Sequence, residues 1–304
     1  MAAHSRFLRY AADVRPLALV SLAACFSLLP FVLSHYRPLA GWQLAGLWFT
    51  SQYVRTHCPY AQHNHGHLPV FGPGARWANA AYDTVLALVT GYPTAFWELH
   101  HNLGHHRNFL APADDVAAIV DPRTGRPMSR VWYSVRGNFT ILFDCLRIAR
   151  NEAARGKPRL LHKLVLELSI HAAVMVALYV WDAKLAFLYF TVPNVLAGYY
   201  VWWESYVHHH GVPGGDIYAG SVTTTGRRFN WVNFNIGHHT AHHEKPTLHW
   251  SLLPTRTAAI AEKIPAVCWR ETPGAGALAS SRPEPASAAP ASLLDRLSAQ
   301  LRSG

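Results

Sequence analysis

The chain is short of charge and of paired cysteines. Charged residues make up 14% of its 304 positions, whereas soluble domains usually carry roughly 25%. This scarcity, with a hydrophobic content of 50%, argues against a soluble domain and favours a membrane protein. The four cysteines form no CxxC pair and no zinc-ribbon spacing, so we expect free thiols in a reducing compartment.

Acidic residues are also scarce, because 17 Asp and Glu stand against 27 Lys and Arg. The resulting charge of +10 would suit nucleic acid, anionic lipid or an acidic protein partner. The apolar content favours a membrane surface, and the chain has no aromatic and basic pattern typical of RNA-binding modules. We therefore expect membrane lipid, and no nucleic acid, among its partners.

Four apolar segments are long enough, or nearly so, to cross a bilayer, which needs about 20 residues. Short loops join them into two hairpins, and the Lys and Arg residues that flank them indicate that both termini lie in the cytoplasm. The fold prediction is an all-α integral membrane protein with four transmembrane helices in two hairpins, interfacial helices and a cytoplasmic helical cap. The predicted spans are residues 16–34, 38–54, 164–181 and 185–203.

The predicted domain organisation is simple. Residues 1–15 form a cytoplasmic N-terminus, residues 16–270 one membrane-embedded domain, and residues 271–304 a disordered tail with a short amphipathic helix. Residues 77–97 and 131–148 mix apolar and polar side chains and are predicted to be interfacial helices. The predicted location is a membrane, with the bacterial inner membrane favoured.

Histidine is abundant, and most of the 20 histidines fall into a few clusters. Within a cluster they recur three or four positions apart, which places them one turn apart on one face of a helix. Two imidazoles in that relation can bind one metal ion. The three clusters are His63-Asn-His65-Gly-His67, His100-His101-Asn-Leu-Gly-His105-His106 and His238-His239-Thr-Ala-His242-His243.

The number of histidines favours two metal ions. Imidazole suits iron, zinc, copper and nickel, and eight histidines are too many for one tetrahedral zinc. Two irons with open positions would use O₂ as a co-substrate. Only Glu98-Leu-His100-His101 fits the Glu-x-x-His pattern of carboxylate-bridged di-iron proteins. The alternatives are separately structural histidines and a His-rich metal transporter, although transport sites usually lie inside the spans.

The three clusters resemble the histidine boxes of the membrane fatty-acid desaturase and hydroxylase superfamily, over roughly residues 16–265. The box patterns are H-x(3–4)-H, then H-x(2–3)-H-H twice, and the chain matches them in order and spacing. The resemblance implies a histidine-coordinated di-iron centre. The implied metal ligands from the boxes are His63, His67, His101, His105, His106, His239, His242 and His243.

A fourth motif of the stearoyl-CoA branch, Asn-x-x-x-His-x-x-Gly, resembles residues 204–211. There the family's His is a ligand and its Asn holds a water, so the resemblance implies His208 as a ninth ligand. Glu204 replaces the Asn, and His209 or His210 could take the place of His208. The remaining candidates for outer partners or extra ligands are His65, His100, His238, Asn235 and Asp115.

The resemblance implies an O₂-dependent fatty acyl desaturase that acts on a free acid, an acyl-CoA, an acyl-carrier-protein thioester or a lipid. The alternatives are a decarboxylase that forms a terminal 1-alkene, an acetylenase and an alkyl hydroxylase. Residues 244–251 are similar to bacterial branches that make terminal alkenes or alkynes. No His-Pro-Gly-Gly haem motif is present, so a ferredoxin or similar carrier must bring electrons, and acyl carrier protein is a further possible partner.

Overall fold

The computed structural model describes residues 7–111, 114, 116–117, 119–121 and 123–273. Asp115, the first six residues and the predicted amphipathic helix near the C-terminus lie outside the described residues. Within the described part the chain is predominantly helical, as predicted, and its only strands are a parallel pair of two residues each.

The first half forms a helical framework that ends in the first two boxes. A short 3₁₀ helix, Ala11–Asp13, leads into the first long helix. The α-helices of this half are α1 (Val14–Tyr36), α2 (Gly41–Arg55), α3 (Cys58–His67), α4 (Arg76–Thr90) and α5 (Thr94–Phe96). The last of these continues directly into a π-helix, Trp97–His105, and a 3₁₀ helix, His106–Asn108.

The second half contains two long apolar segments and the cap that holds the third box. Its elements are α6 (Arg130–Ala154), α7 (Arg159–Trp181), α8 (Ala183–Ala186), a π-helix (Phe187–Thr191), α9 (Val192–His209), β1 (Thr223–Thr224), α10 (Arg227–Val232), α11 (His239–Glu244), α12 (Leu253–Ile260) and β2 (Trp269–Arg270). The two strands pair in parallel and tie the end of the cap to its beginning.

Among the described residues, three helical segments are long and apolar enough to cross a membrane: Ala11–Tyr36, Arg159–Trp181 and Ala183–His209. They coincide with three of the four predicted spans, and the count of four is not confirmed. Over the second predicted span, α2 has 15 residues. At 1.5 Å per residue it is about 22 Å long, less than the roughly 30 Å thickness of a hydrocarbon core.

The two segments predicted to be interfacial are helical, as α4 and α6. Helix α4 ends at Gly91, which adopts a left-handed φ of 76°, so it is shorter than the predicted 77–97. The second packs along α9 through Gly137, where an added Cβ would lie 2.1 Å from the Trp202 ring. This close approach brings the helix that follows box two against the helix that carries His209.

Arg55, at the end of α2, joins four helices inside the bundle. Pro193 has no N–H, so the carbonyl of Tyr189 one turn earlier loses its helical donor. The Arg55 guanidinium takes that place, donating to Tyr189 O at 2.5 Å and to Val89 O, near the end of α4, at 2.8 Å. It also donates to the Asn194 side chain. A buried arginine with these partners fixes the start of α3, which carries box one.

The N-terminus and the cap are joined by a buried carboxylate. Asp13, 2% exposed, accepts hydrogen bonds from His249 Nε2 and Trp250 Nε1, both at 2.9 Å. Tyr10 stacks on the His249 ring at 3.8 Å. These contacts hold the segment after box three against the start of α1.

Candidate metal centre

Box one lies at the end of α3. His63 and His67 are four residues apart, so both project from one face of the last turns. Their Nε2 atoms are 3.2 Å apart. Trp97, at the start of the π-helix, lies 5.1 Å from His63, edge to face, and fixes that ring.

Box two lies in the π-helix rather than in an α-helix. A π-helix has i→i+5 hydrogen bonds, and such turns often occur at functional sites. His101 and His106, five residues apart, come together with their Nε2 atoms 3.0 Å apart. His105 points to a different set of partners, with its Nε2 atom 3.3 Å from His243 Nε2. The wider turn therefore divides one box between two sites.

Box three is divided as well. On the short helix α11, His239 and His243 are one turn apart, and their Nε2 atoms are separated by 3.1 Å. The intervening His242 faces another way and lies 2.9 Å from His106 Nε2. His209, at the end of α9, approaches His239 with an Nε2–Nε2 distance of 3.2 Å.

These contacts assemble two groups, each able to hold a metal ion, in which the ligand nitrogens lie within 4.8 Å of one another. We call them the five-histidine group and the four-histidine group. The first contains His63, His67, His101, His106 and His242. The second contains His105, His209, His239 and His243.

The spacing of the nitrogens fits metal coordination. Two imidazole nitrogens bound at right angles, each about 2.1 Å from the metal, lie about 3.0 Å apart. The neighbouring Nε2 atoms of both groups are 2.8 to 3.3 Å apart. Without a cation, so many facing nitrogens would bring lone pairs or N–H groups against each other. The residues present therefore fit two metal ions with imidazole ligands.

Burial keeps these imidazoles neutral, as metal binding requires. Burial, and to a smaller degree the neighbouring histidines, lowers the pKa of His63 and of His106 to about 3. The same causes hold the pKa of His239 well below its usual value of 6.5. At neutral pH the ring nitrogens are therefore available as ligands.

Outer contacts orient several of these rings. His105 donates through Nδ1 to Asp114 Oδ1 at 2.8 Å, and both side chains are fully buried. His209 donates through Nδ1 to the Gly220 carbonyl at 3.2 Å. Phe109 stacks on His243 with a centroid distance of 3.9 Å. Such partners fix the tautomer and the orientation of ligand histidines.

The structure brings the eight box histidines together and adds His209 to them. His208, the ligand favoured by the sequence motif, lies outside both groups and stacks on the His239 ring at 4.2 Å. The end of α9 is at His209, and successive residues on a helix point about 100° apart, so the rings of His208 and His209 point in different directions. That His208 is a metal ligand stays a prediction.

The other candidate residues surround the centre without joining it. His65 turns away and contacts Asp83 at 3.1 Å, and His238 bonds Thr257 at 3.0 Å. Asn235 donates to the Trp250 carbonyl, and the His100 ring meets Trp202 edge to face. Asp114, which the sequence placed beside Asp115 as an acidic residue after box two, is the one with a described role.

A sequence profile of the fatty acid desaturase family matches residues 40–274. The chain belongs to the fatty acid desaturase family. Members of the family are generally di-iron proteins, and membership together with the three apolar helices indicates an integral membrane protein that modifies fatty acids. No curated protein has significant similarity to the chain.

A cavity in this desaturase family member opens onto both histidine groups. It is bounded by the five-histidine group through His63 and His101 and by the four-histidine group through His239. Aromatic and aliphatic side chains form most of the remaining wall, with Glu204, Ser205 and His208 as polar exceptions. These wall residues include Pro59, Tyr60, Trp97, Tyr200, Val201 and Ile236.

Proposed function

We propose that the protein is an O₂-dependent di-iron fatty acyl desaturase. The observation that carries the proposal is the pair of histidine groups facing one largely apolar cavity. The five-histidine and four-histidine groups would each hold one iron. When bound, the two irons would supply the oxidising power that removes hydrogen from an unactivated C–H bond.

The protein's own residues would hold and orient the acyl chain. The apolar wall of the cavity, including Trp97 and Tyr200, would bind a methylene segment and keep bulk water from it. Trp97 touches His63 and His101 as well as the cavity, so it would set the distance between the chain and the ligands. Desaturation would then remove two hydrogens from adjacent carbons of the bound segment.

The electrons would come from a separate carrier such as a ferredoxin. The end of α6 offers exposed cations for an acidic partner, because the Arg147 and Arg155 side chains are 62% and 66% exposed. Acyl carrier protein is acidic as well and would suit the same surface. We also propose that this face is cytoplasmic, in a bacterial inner membrane.

The test is metal analysis combined with product analysis. We expect close to two irons per purified chain, and a new double bond in the acyl lipids of cells that express it. The His101→Ala variant should lose the product, while His35→Ala, at an exposed site remote from the boxes, should keep it.

One zinc per chain, or a product that persists in His101→Ala, would contradict the proposal. If the product were a terminal 1-alkene, an alkyne or an alcohol instead of an internal alkene, the protein would still be a di-iron oxidase of acyl chains. Its reaction would then be decarboxylation, acetylenation or hydroxylation rather than desaturation. Metal uptake without O₂-dependent product would favour the transporter alternative.

A further inference from the structure

The proposed reaction needs protons inside a buried site. Formation of one double bond consumes O₂, two electrons from the external one-electron carrier, two protons from solvent and two hydrogen atoms from the acyl chain. The O–O bond and two C–H bonds break, and two molecules of water form. The histidines of both groups would be engaged with metal, so another group on the cavity wall must bring in the protons.

Glu204 lines the cavity with His63, His101 and His239 and is 8% exposed. Its Oε2 atom is buried and makes no hydrogen bond of good geometry within the part of the chain that the structure describes, although the Tyr60 hydroxyl interacts with the same carboxyl group. A buried carboxyl oxygen without a partner is costly, so such an atom is expected to bond something that enters the site. The free oxygen of Glu204 is therefore available to whatever occupies the cavity.

The other oxygen of Glu204 lies near a cation. Its Oε1 atom lies 3.9 Å from Arg130 Nη2, and Arg130 is partly exposed and stacks over Trp203. The carboxyl group thus connects the cavity with a cation near the surface. This arrangement allows Glu204 to take a proton on the outer side and present it on the inner side.

The neighbouring polar groups are less suited to that task. The Tyr60 and Tyr200 hydroxyls bond each other at 2.8 Å, and a phenol releases its proton only near pH 10. The His208 ring also lines the cavity with both nitrogens buried and without hydrogen-bond partners, but it stacks on His239 and no described contact joins it to a charged group near the surface. Of the polar side chains on this wall, Glu204 alone combines an unpartnered oxygen with a link toward the surface.

We propose that Glu204 is the catalytic acid of the reaction and passes protons from the Arg130 side to the oxygen atoms derived from O₂ in the cavity. The inference rests on the proposed function and adds a residue to it. It also gives a physical meaning to the carboxylate that stands where the family motif has an amide, since an amide does not release a proton.

The test compares Glu204→Gln with Glu204→Asp and with Asp144→Asn, in the full-length protein reconstituted with iron and supplied with reductant. Asp144 pairs with Arg147 on the outer face of α6, so its variant is a control for loss of a carboxylate elsewhere. We expect Glu204→Gln to keep two irons and a near-normal melting temperature. Its rate of product formation should fall roughly 100-fold, and H₂O₂ released per O₂ consumed should rise.

The aspartate variant keeps a carboxyl group at a longer distance. It should restore part of the rate and show a larger solvent isotope effect than the wild type, because proton transfer then limits turnover. Normal product formation in Glu204→Gln would overturn the inference. Loss of iron from that variant would overturn it too, and would make Glu204 a metal ligand.

The two proposals fail separately. A wild-type protein that forms no O₂-dependent acyl product would refute the proposed function and, with it, the role of Glu204. Wild-type turnover with an unimpaired Glu204→Gln variant would leave the proposed function standing and remove only the proton pathway.

Discussion

The five-histidine group and the four-histidine group are built from the same boxes, yet they differ in burial and support. In the four-histidine group every ring is buried, whereas His67, His101 and His106 of the five-histidine group are partly exposed. The four-histidine group has a carboxylate and a backbone carbonyl behind its rings, through Asp114 and Gly220. The five-histidine group instead depends on the number of its ligands and on packing against Trp97. Two similar metals would thus sit in unlike surroundings, one enclosed and one accessible.

The sharpest way to separate the groups is to remove adjacent histidines from α11. His242 belongs to the five-histidine group and His243 to the four-histidine group. We expect His242→Ala and His243→Ala each to lower iron from about two to about one per chain. Product should fall by more than about 100-fold in both, because loss of a ligand exceeds the 10- to 100-fold effect of losing an outer partner.

Mössbauer spectra of the two variants should retain different iron signals, one from each group. If both variants kept the same signal, the division of box three between two sites would be wrong. The exposed His35→Ala variant provides the matched control for loss of an imidazole.

The next comparison concerns two buried histidine–aspartate pairs. Asp114 holds His105, a member of the four-histidine group, and Asp13 holds His249, which lies outside both groups. We expect Asp114→Asn to weaken metal binding at the four-histidine group by about 10- to 100-fold, since the carboxylate orients the ring. Asp13→Asn should keep both irons and lower only the melting temperature.

Iron titration of the two variants, followed by calorimetry or spectroscopy, measures the difference. Equal effects of Asp114→Asn and Asp13→Asn on iron affinity would show that the support of His105 is only structural.

A smaller effect is expected at Arg55, which fixes the start of α3 below the five-histidine group. Arg55→Met leaves the buried carbonyls of Tyr189 and Val89 without their donor, at a cost of about 1–3 kcal/mol for each. The melting temperature should therefore fall, and iron should be lost first from the five-histidine group. Arg55→Lys, which can reach one carbonyl, should have a melting temperature between those of Arg55→Met and the wild type. If Arg55→Met were as stable as the wild type, this role of Arg55 would be wrong.

The sequence predicted the helical fold and the histidines that come together, but not how these histidines divide between two groups. The box spacings were enough to bring eight histidines to one region. Assigning them to two groups required the π-helix at Trp97–His105, which pairs His101 with His106 and which no residue pattern indicated. Likewise, His209 joins the four-histidine group because of where α9 ends against the cap, whereas the role of His208 as a ligand stays a prediction. Tertiary packing decides which of two neighbouring residues on a helix faces the site, and the spacing of residues along the chain does not encode that packing.

The span count shows the same limit. Apolar runs identified the segments that became Ala11–Tyr36, Arg159–Trp181 and Ala183–His209. Over the second run, residues 38–54, the helix begins late, at Gly41, and a break after Arg55 separates it from α3. After that break the chain starts α3, the helix that carries box one. The apolar run therefore ends where the chain turns to place the histidines of box one.

The difference in burial between the groups also predicts how iron leaves. A chelator in solution meets the five-histidine group first, because His67, His101 and His106 are partly exposed. Every ring of the four-histidine group is buried, with Phe109 and Asp114 in contact with two of them and only His239 on the cavity wall, so its metal should leave more slowly. We therefore expect two phases of iron release under a ferrous chelator, separated several-fold in rate.

The fast phase should be absent from His242→Ala and the slow phase from His243→Ala, and Asp114→Asn should accelerate the slow phase alone. A single phase in the wild type would mean that the two groups open together, and that the contrast in burial has no consequence for the metals.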